Sequence, residues 1–194
     1  MVKGEPQSCN FQAIYNFGDS NSDTGGISAV YNPIPPPNGQ TYFGKPAGRV
    51  TDGRIVIDFM AKNPSENAYL PNPDEFLNAL YTFDIGQNDL SHVIGKVPND
   101  QALAIIPDMI QEYSTAIQKM YQQGARSFCI HNLGPLGCSP IPRLSVISGG
   151  SQDLDQYGCV KYHNDIVSQF NQQLKNLIYQ QRGQLKLRCF ISLR

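Results

Sequence analysis

A serine stands on a tight turn near the start of the chain, in Gly18-Asp19-Ser20. The residues before it, Ile14, Tyr15 and Phe17, are β-formers in a short apolar run that Gly18 ends. A serine that follows a buried strand of this kind carries its hydroxyl at the C-terminal edge of a sheet, close to free backbone N–H groups. That position suits a nucleophile or an anion site. Ser20 or Asn21 is placed to cap a following helix. A nucleophilic serine also needs a base, and the chain has three histidines, His92, His131 and His163. His131 ends an apolar strand at the same edge and reads either as a hydrogen-bonded loop-start residue or as a base. His163 falls on the apolar face of a long helix and reads as a core or boundary histidine. No Cys/His spacing resembles a zinc site, so no metal is implied. A nucleotide-binding turn is disfavoured, because Gly-X-Gly-X-X-Gly is absent and Asp19 beside Ser20 repels phosphate.

The elements that must position these groups follow from hydrophobic period and breakers. Strands are expected over residues 11–17, 80–85 and 126–131, with a strand-like last segment over 185–194. Residues 54–61 have a helical pattern. Residues 106–123 form an amphipathic helix, with Pro107 in its first turn and Gly124 at its end. A second long helix is expected over 154–182, started by Asp153 or Asp155 and stopped at Gly183. Segments 25–52, 90–100 and 132–150 read as loops. Within the first of these, Pro33 to Gly39 is expected to be polyproline-like backbone ending in a turn. Residues 62–73 are polar and proline-rich, and a helix does not pass through such a stretch easily. Strands alternating with helices argue for an α/β fold with a parallel sheet.

A chain of 194 residues supports one domain with a full core, and it is 40% hydrophobic and 16% charged. Fifteen basic and sixteen acidic residues leave a net charge of −1, which offers nothing to attract nucleic acid or an anionic membrane. No apolar run approaches membrane-spanning length. Residues 1–10 read as a disordered lead-in without the apolar h-region of a signal peptide, and residues 11–194 as a single domain. Of the five cysteines, Cys129 lies within an apolar strand and reads as a buried free thiol.

The run Phe17-Gly18-Asp19-Ser20-Asn21-Ser22-Asp23-Thr24-Gly25-Gly26 resembles the first sequence block of the plant GDSL esterase/lipases, a branch of the SGNH hydrolases. Pro35-Pro36-Pro37-Asn38-Gly39, Phe43-Gly44 and Gly48-Arg49-Val50-Thr51-Asp52-Gly53-Arg54 are similar to family segments too, and Tyr81 to Asp89 looks like the third block. The resemblance covers residues 11–61 and 71–187. It implies a flavodoxin-like three-layer α/β/α sandwich with a parallel sheet, here one strand short, and no cofactor. By the same resemblance Ser20 is the nucleophile and a backbone oxyanion donor, and Asn88 supplies the oxyanion side chain. Cys138 and Cys159 occupy positions like a family disulfide pair. Plant members are usually secreted. This N-terminus lacks a signal, so the chain reads either as one whose signal was removed or as an intracellular protein.

Two family features have no counterpart. The second block, with its strand and oxyanion glycine, should fall near residues 62–73. The final block, with an Asp-X-X-His base, should follow the last strand. Asp89-Leu90-Ser91-His92 spells Asp-X-X-His but belongs to the third block. His92 and His131 therefore stand as candidate substitute bases. The resemblance implies a serine hydrolase acting through an acyl-enzyme on acyl or acetyl esters of lipids, cell-wall sugars or plant metabolites. The alternative is a truncated, catalytically impaired form, at most a binding protein for a carbohydrate or a protein partner.

Overall fold

The computed structural model describes residues 11–60, 73–149 and 153–193. The lead-in, the break over 62–72 and Cys9 lie outside the described residues. In chain order the elements are β1 (Ile14–Gly18), α1 (Gly26–Val30), α2 (Gln40–Phe43), α3 (Val56–Met60) and α4 (Pro73–Leu77). Then come β2 (Leu80–Asp84), α5 (Gln87–Val93), α6 (Asn99–Ala104), α7 (Ile106–Gln122) and β3 (Ser127–His131). A 3-10 turn at Leu136–Cys138, α8 (Pro140–Ser148), α9 (Lys161–Gln184) and β4 (Cys189–Leu193) complete the chain.

The four strands form one parallel sheet in the order β1-β2-β3-β4. Side chains alternate across it. Tyr81, Phe83, Phe128, Ile130 and Phe190 point to one face and join the buried cluster built with Ile106, Ile117, Phe170 and Leu174 of α7 and α9. Both parallel crossovers β2–α7–β3 and β3–α9–β4 run the same way across the sheet, and the right-handed rule sets their helices on one side. Thr82 and Cys129 point to the opposite face and are also buried, and there Thr82 Oγ1 donates to Asn16 Oδ1 at 2.5 Å. Burial pushes the Cys129 thiol up to about 11, so it stays protonated as the expected buried thiol. Every described helix other than α7 and α9 has nine residues or fewer.

Several sequence expectations need correction. The first strand is not buried: among the described residues it is the sheet edge, paired with β2 alone, and Phe17 is 39% exposed. Neither Ser20 nor Asn21 caps a helix. The Asp23 carboxylate instead accepts the N–H groups of Gly25, Gly26 and Ile27 at 2.8, 2.6 and 3.2 Å, at the start of α1. The segments read as loops hold α1, α2 and α8 and parts of α5 and α6, and Asn88 and His92 lie on α5. The second long helix begins at Lys161, not near 154. The Asp155 carboxylate is spent on the N–H groups of Tyr157 and Cys159 in a preceding turn, while Asp153 Oδ2 reaches Tyr162 N–H at 3.4 Å. The turn before α9 is tied to the 3-10 turn by the Cys138–Cys159 disulfide. His163 is buried on α9 as its apolar position suggests, and burial lowers its pKa while the Asp153 charge opposes.

Candidate active site

Three strand ends meet at one edge of the sheet. Gly18, Asp84 and His131 are the last residues of β1, β2 and β3. Gly18 pairs with Asp84, and the β2–β3 register, carried one residue past Phe83 and Ile130, sets His131 beside Asp84. Because Phe83 and Ile130 face the core under α7 and α9, Asp84 and His131 face the other way.

Ser20 sits two residues beyond Gly18 in a turn closed by Ser22 N–H donating to Asp19 O at 2.9 Å. Two side-chain bonds hold this turn to the sheet edge. Ser22 Oγ donates to Asp84 Oδ2 at 3.2 Å, and Asn21 Nδ2 donates to Gln87 Oε1 at 2.9 Å. The turn also needs glycine before it, since a Cβ on Gly18 would stand 2.5 Å from Ser22 Cβ. On the other side of the Asn21–Gln87 bond, Gly86 takes a φ of 107° that lets the chain pass from β2 into α5. Tyr113 steadies the same corner: its hydroxyl donates to Ile85 O at 2.6 Å and accepts Ile85 N–H at 3.2 Å. Burial pushes the Tyr113 hydroxyl above its ordinary range, so this pair of bonds does not titrate in the working range.

A cavity of about 480 Å³ opens beside the serine, with Ser20, Arg54, Phe59, Asp84 and His131 among its lining residues. His131 Nε2 is buried and has no hydrogen-bond partner among the described residues. The wall opposite the sheet is the segment around α3. It is braced by the Arg49–Asp58 ion pair, by Ile55 N–H donating to Asp58 Oδ2 at 2.8 Å, and by Arg54 Nη2 donating to Asp58 O at 2.9 Å. Burial works to raise the Asp58 carboxyl. The Arg49 and Ile55 hydrogen bonds and the charges of both arginines outweigh it and hold the group below the ordinary carboxylate range. The Gly25 N–H, with those of Gly26 and Ile27, does the same for Asp23 against a burial effect.

Asn88 and His92 lie elsewhere. They share one face of α5 at i, i+4 spacing and line a separate cavity of about 820 Å³ with Phe83, Val93, Met109 and Tyr113. His92 Nδ1 lies 3.5 Å from Lys96 Nζ. The fold thus brings Ser20 and His131 to one cavity, and Asn88 and His92 to another. The Asn21–Gln87 bond links the two groups through the residues next to Ser20 and Asn88. Arg54 and Asp84 were missed as site residues. The readable signal for Asp84 is a carboxylate ending an apolar strand run, and for Arg54 a second cation five residues after Arg49 in the same short segment. Among the described residues no cluster of His, Cys, Asp or Glu is arranged to hold a metal ion, and no helix is long and apolar enough to cross a membrane.

A parallel α/β sheet with a Gly-Asp-Ser turn at its C-terminal edge defines an incomplete SGNH hydrolase fold. The chain belongs to the GDSL-like lipase/acylhydrolase family, whose family model matches residues 65–188. It is similar to a GDSL esterase/lipase of Arabidopsis thaliana, at 36% identity over 91% of this chain and 64% of the relative. It is similar also to an esterase of Hevea brasiliensis, at 32% identity over 95% of this chain and 64% of that protein. A third relative is named alpha-L-fucosidase 3, from Arabidopsis thaliana, with 34% identity over 91% of this chain and 66% of that protein. The chain thus spans about two thirds or less of these relatives' length. The first alignment runs over 247 positions although the whole chain has 194 residues, so that relative carries internal sequence with no counterpart here.

Proposed function

We propose that the chain is a serine ester hydrolase with Ser20 as nucleophile. The observation that carries this reading is the shared cavity of Ser20 and His131 at the C-terminal edge of the sheet. Ser20 Oγ attacks an ester carbonyl while its proton passes to His131. The tetrahedral oxyanion collapses, the alcohol leaves with the proton, and water then splits the acyl-enzyme by the same route to release the acid. His131 is preferred to His92 because His131 lines the cavity that holds Ser20 and His92 does not. The Ser20 backbone N–H is one oxyanion donor. Asn88 is the second by the family resemblance, tied to the Ser20 turn through its neighbour's Asn21–Gln87 bond. Glycosidase chemistry is less well supported, since it uses two facing carboxylates and Asp84 is the one carboxylate among the lining residues of the Ser20 cavity. The Cys138–Cys159 disulfide suits an oxidising compartment and so supports secretion.

A specific observation favours a second reading, the impaired form. His131 Nε2 contacts no hydroxyl, and Asn88 is outside the Ser20 cavity. A serine without its base retains only a residual rate, roughly a 10⁴–10⁶-fold loss in kcat. The test is hydrolysis of a short-chain chromogenic ester by the purified chain beside Ser20→Ala, with circular dichroism on both. Turnover lost in the variant supports the hydrolase. A folded chain whose slow turnover is the same in both proteins refutes it and leaves the impaired form.

A further inference from the structure

We propose that the Ser20 cavity selects esters that carry a carboxylate, and that Arg54 receives that carboxylate. The inference rests on the reading of Ser20 as nucleophile and adds the class of substrate. Two guanidinium groups, Arg49 and Arg54, stand around one carboxylate, Asp58. Arg49 Nη1 takes Asp58 Oδ2 in an ion pair whose side chains are only 13% and 14% exposed. Among the described residues Arg54 donates only to the backbone carbonyl of Asp58, at 2.9 Å, and makes no ion pair, though its charge acts on the Asp58 carboxyl. A guanidinium has five N–H donors in a fixed fork, so Arg54 keeps most of them for a ligand.

The rings around it orient this fork. The Arg54 guanidinium carbon lies 3.8 Å from the Phe59 ring centroid and 5.5 Å from that of Tyr42. Contact with the Phe59 ring holds the guanidinium by its face and leaves its donor edge for a ligand. Phe59 and Arg54 both line the cavity that holds Ser20. A planar fork of this kind pairs bidentately with a carboxylate. The charge present selects a monoanion. Asp84 lines the same cavity, so a dianionic phosphate would leave one negative charge facing a second carboxylate, which accepts Ser22 Oγ.

The experiment uses two acetate esters of the same shape, 4-acetoxybenzoate and its neutral amide 4-acetoxybenzamide, with phenol release followed by chromatography. The wild-type chain is expected to prefer the anionic ester in kcat/KM by about tenfold at low salt, through KM, with the preference shrinking as salt is added. Arg54→Gln brings the ratio of the two esters to about one, and Arg54→Lys restores part of it. A ratio near one in the wild type overturns the proposal. So does an Arg54→Gln variant that lowers both esters equally, which is the signature of a merely structural Arg54. If Arg54→Gln does not fold, the salt dependence of the wild-type ratio and the Arg54→Lys variant carry the decision. Binding separates this inference from the nucleophile reading. Calorimetry on the Ser20→Ala protein with 4-hydroxybenzoate and 4-hydroxybenzamide is expected to show binding of the acid only, lost with Arg54→Gln. If no ester is turned over while the acid still binds through Arg54, the nucleophile reading fails and the carboxylate site stands; no selective binding sinks the site.

Discussion

Removing one oxygen atom from the corner that joins β2 to α5, by Tyr113→Phe, separates hydrogen bonding from packing. The ring stays, with its contacts to Phe83 and Phe170 at centroid distances of 6.2 Å each. Two hydrogen bonds go, one donated to Ile85 O and one accepted from Ile85 N–H. Tyr113 is 6% exposed, so its own side offers the stranded backbone groups no water. A typical hydrogen bond contributes about 1 kcal/mol net, and a buried group left unsatisfied costs about 1–3 kcal/mol. Ile85 is 37% exposed, so water reaches part of this corner and the estimate belongs at the low end of the range. The expected loss is about 2 kcal/mol, or roughly 4–8 °C in Tm for a chain of this size. Urea unfolding of both proteins measures it, as a lower midpoint at an unchanged slope. A loss under about 0.5 kcal/mol would mean that Ile85 is satisfied by solvent and that Tyr113 acts through its ring alone. Asn88 follows two residues after Gly86, so the same variant is expected to lower ester turnover more than the loss of folded protein explains.

Three further outcomes follow from the site. Gly18→Ala is expected to abolish Ser20 labelling by a fluorophosphonate while leaving the helical circular dichroism in place, because the added Cβ would displace Ser22 and its bond to Asp84; labelling at the wild-type rate would show that this turn does not depend on glycine. Asp23 and Asp58 both have folded pKa values below their ordinary 3.8, so each stabilises the fold above that pH and loses its contribution as pH falls through the folded value. Hydrogen exchange is therefore expected to show residues 23–58 opening before α7 and α9 as pH drops from about 5 to about 3, and equal protection of the two regions would contradict it. Reducing Cys138–Cys159, which closes a loop of sequence separation 21, is expected to cost about 3 kcal/mol, read as a lower Tm with reductant; an unchanged Tm would show that the loop is held by its other contacts.

The sheet and the two long helices were legible because their signals are local and repeated. Apolar runs at Leu80–Asp84 and Ser127–His131 end in polar residues, and α7 carries an apolar stripe between Pro107 and Gly124. The α9 start was misplaced because Asp153 and Asp155 look like caps from either side of the turn they build. Helix α8 was hidden by Pro140 and Pro142, which break a helix in its middle but are tolerated in its first turn. Helix α5 was hidden by the polar run Gln87-Asn88-Asp89, which gives it no stripe. The exposure of β1 was not legible at all. Ile14, Tyr15 and Phe17 would read the same in a central strand, and only the absence of a strand beyond β1 among the described residues makes it an edge.

The candidate site was half legible for a related reason. Ser20 announces itself by its turn, but Asp84, His131 and Arg54 come from segments far apart in sequence and meet only through register. Asp84 and His131 face the serine side because Phe83 and Ile130 face the core, and a slip of one residue would exchange them. The core under α7 and α9 therefore orients these site side chains as well as stabilising the sheet. Ser20 has weaker support. Among the described residues its strand pairs on one side only, so its position depends on β2 and on three side-chain bonds, Thr82 to Asn16, Ser22 to Asp84 and Asn21 to Gln87. Asp84 and His131 stand on the buried interior strands, whereas Ser20 stands on the exposed edge. In the proposed reaction, the placement of the Ser20 turn against this pair sets whether Ser20 Oγ comes within hydrogen-bond reach of His131 Nε2.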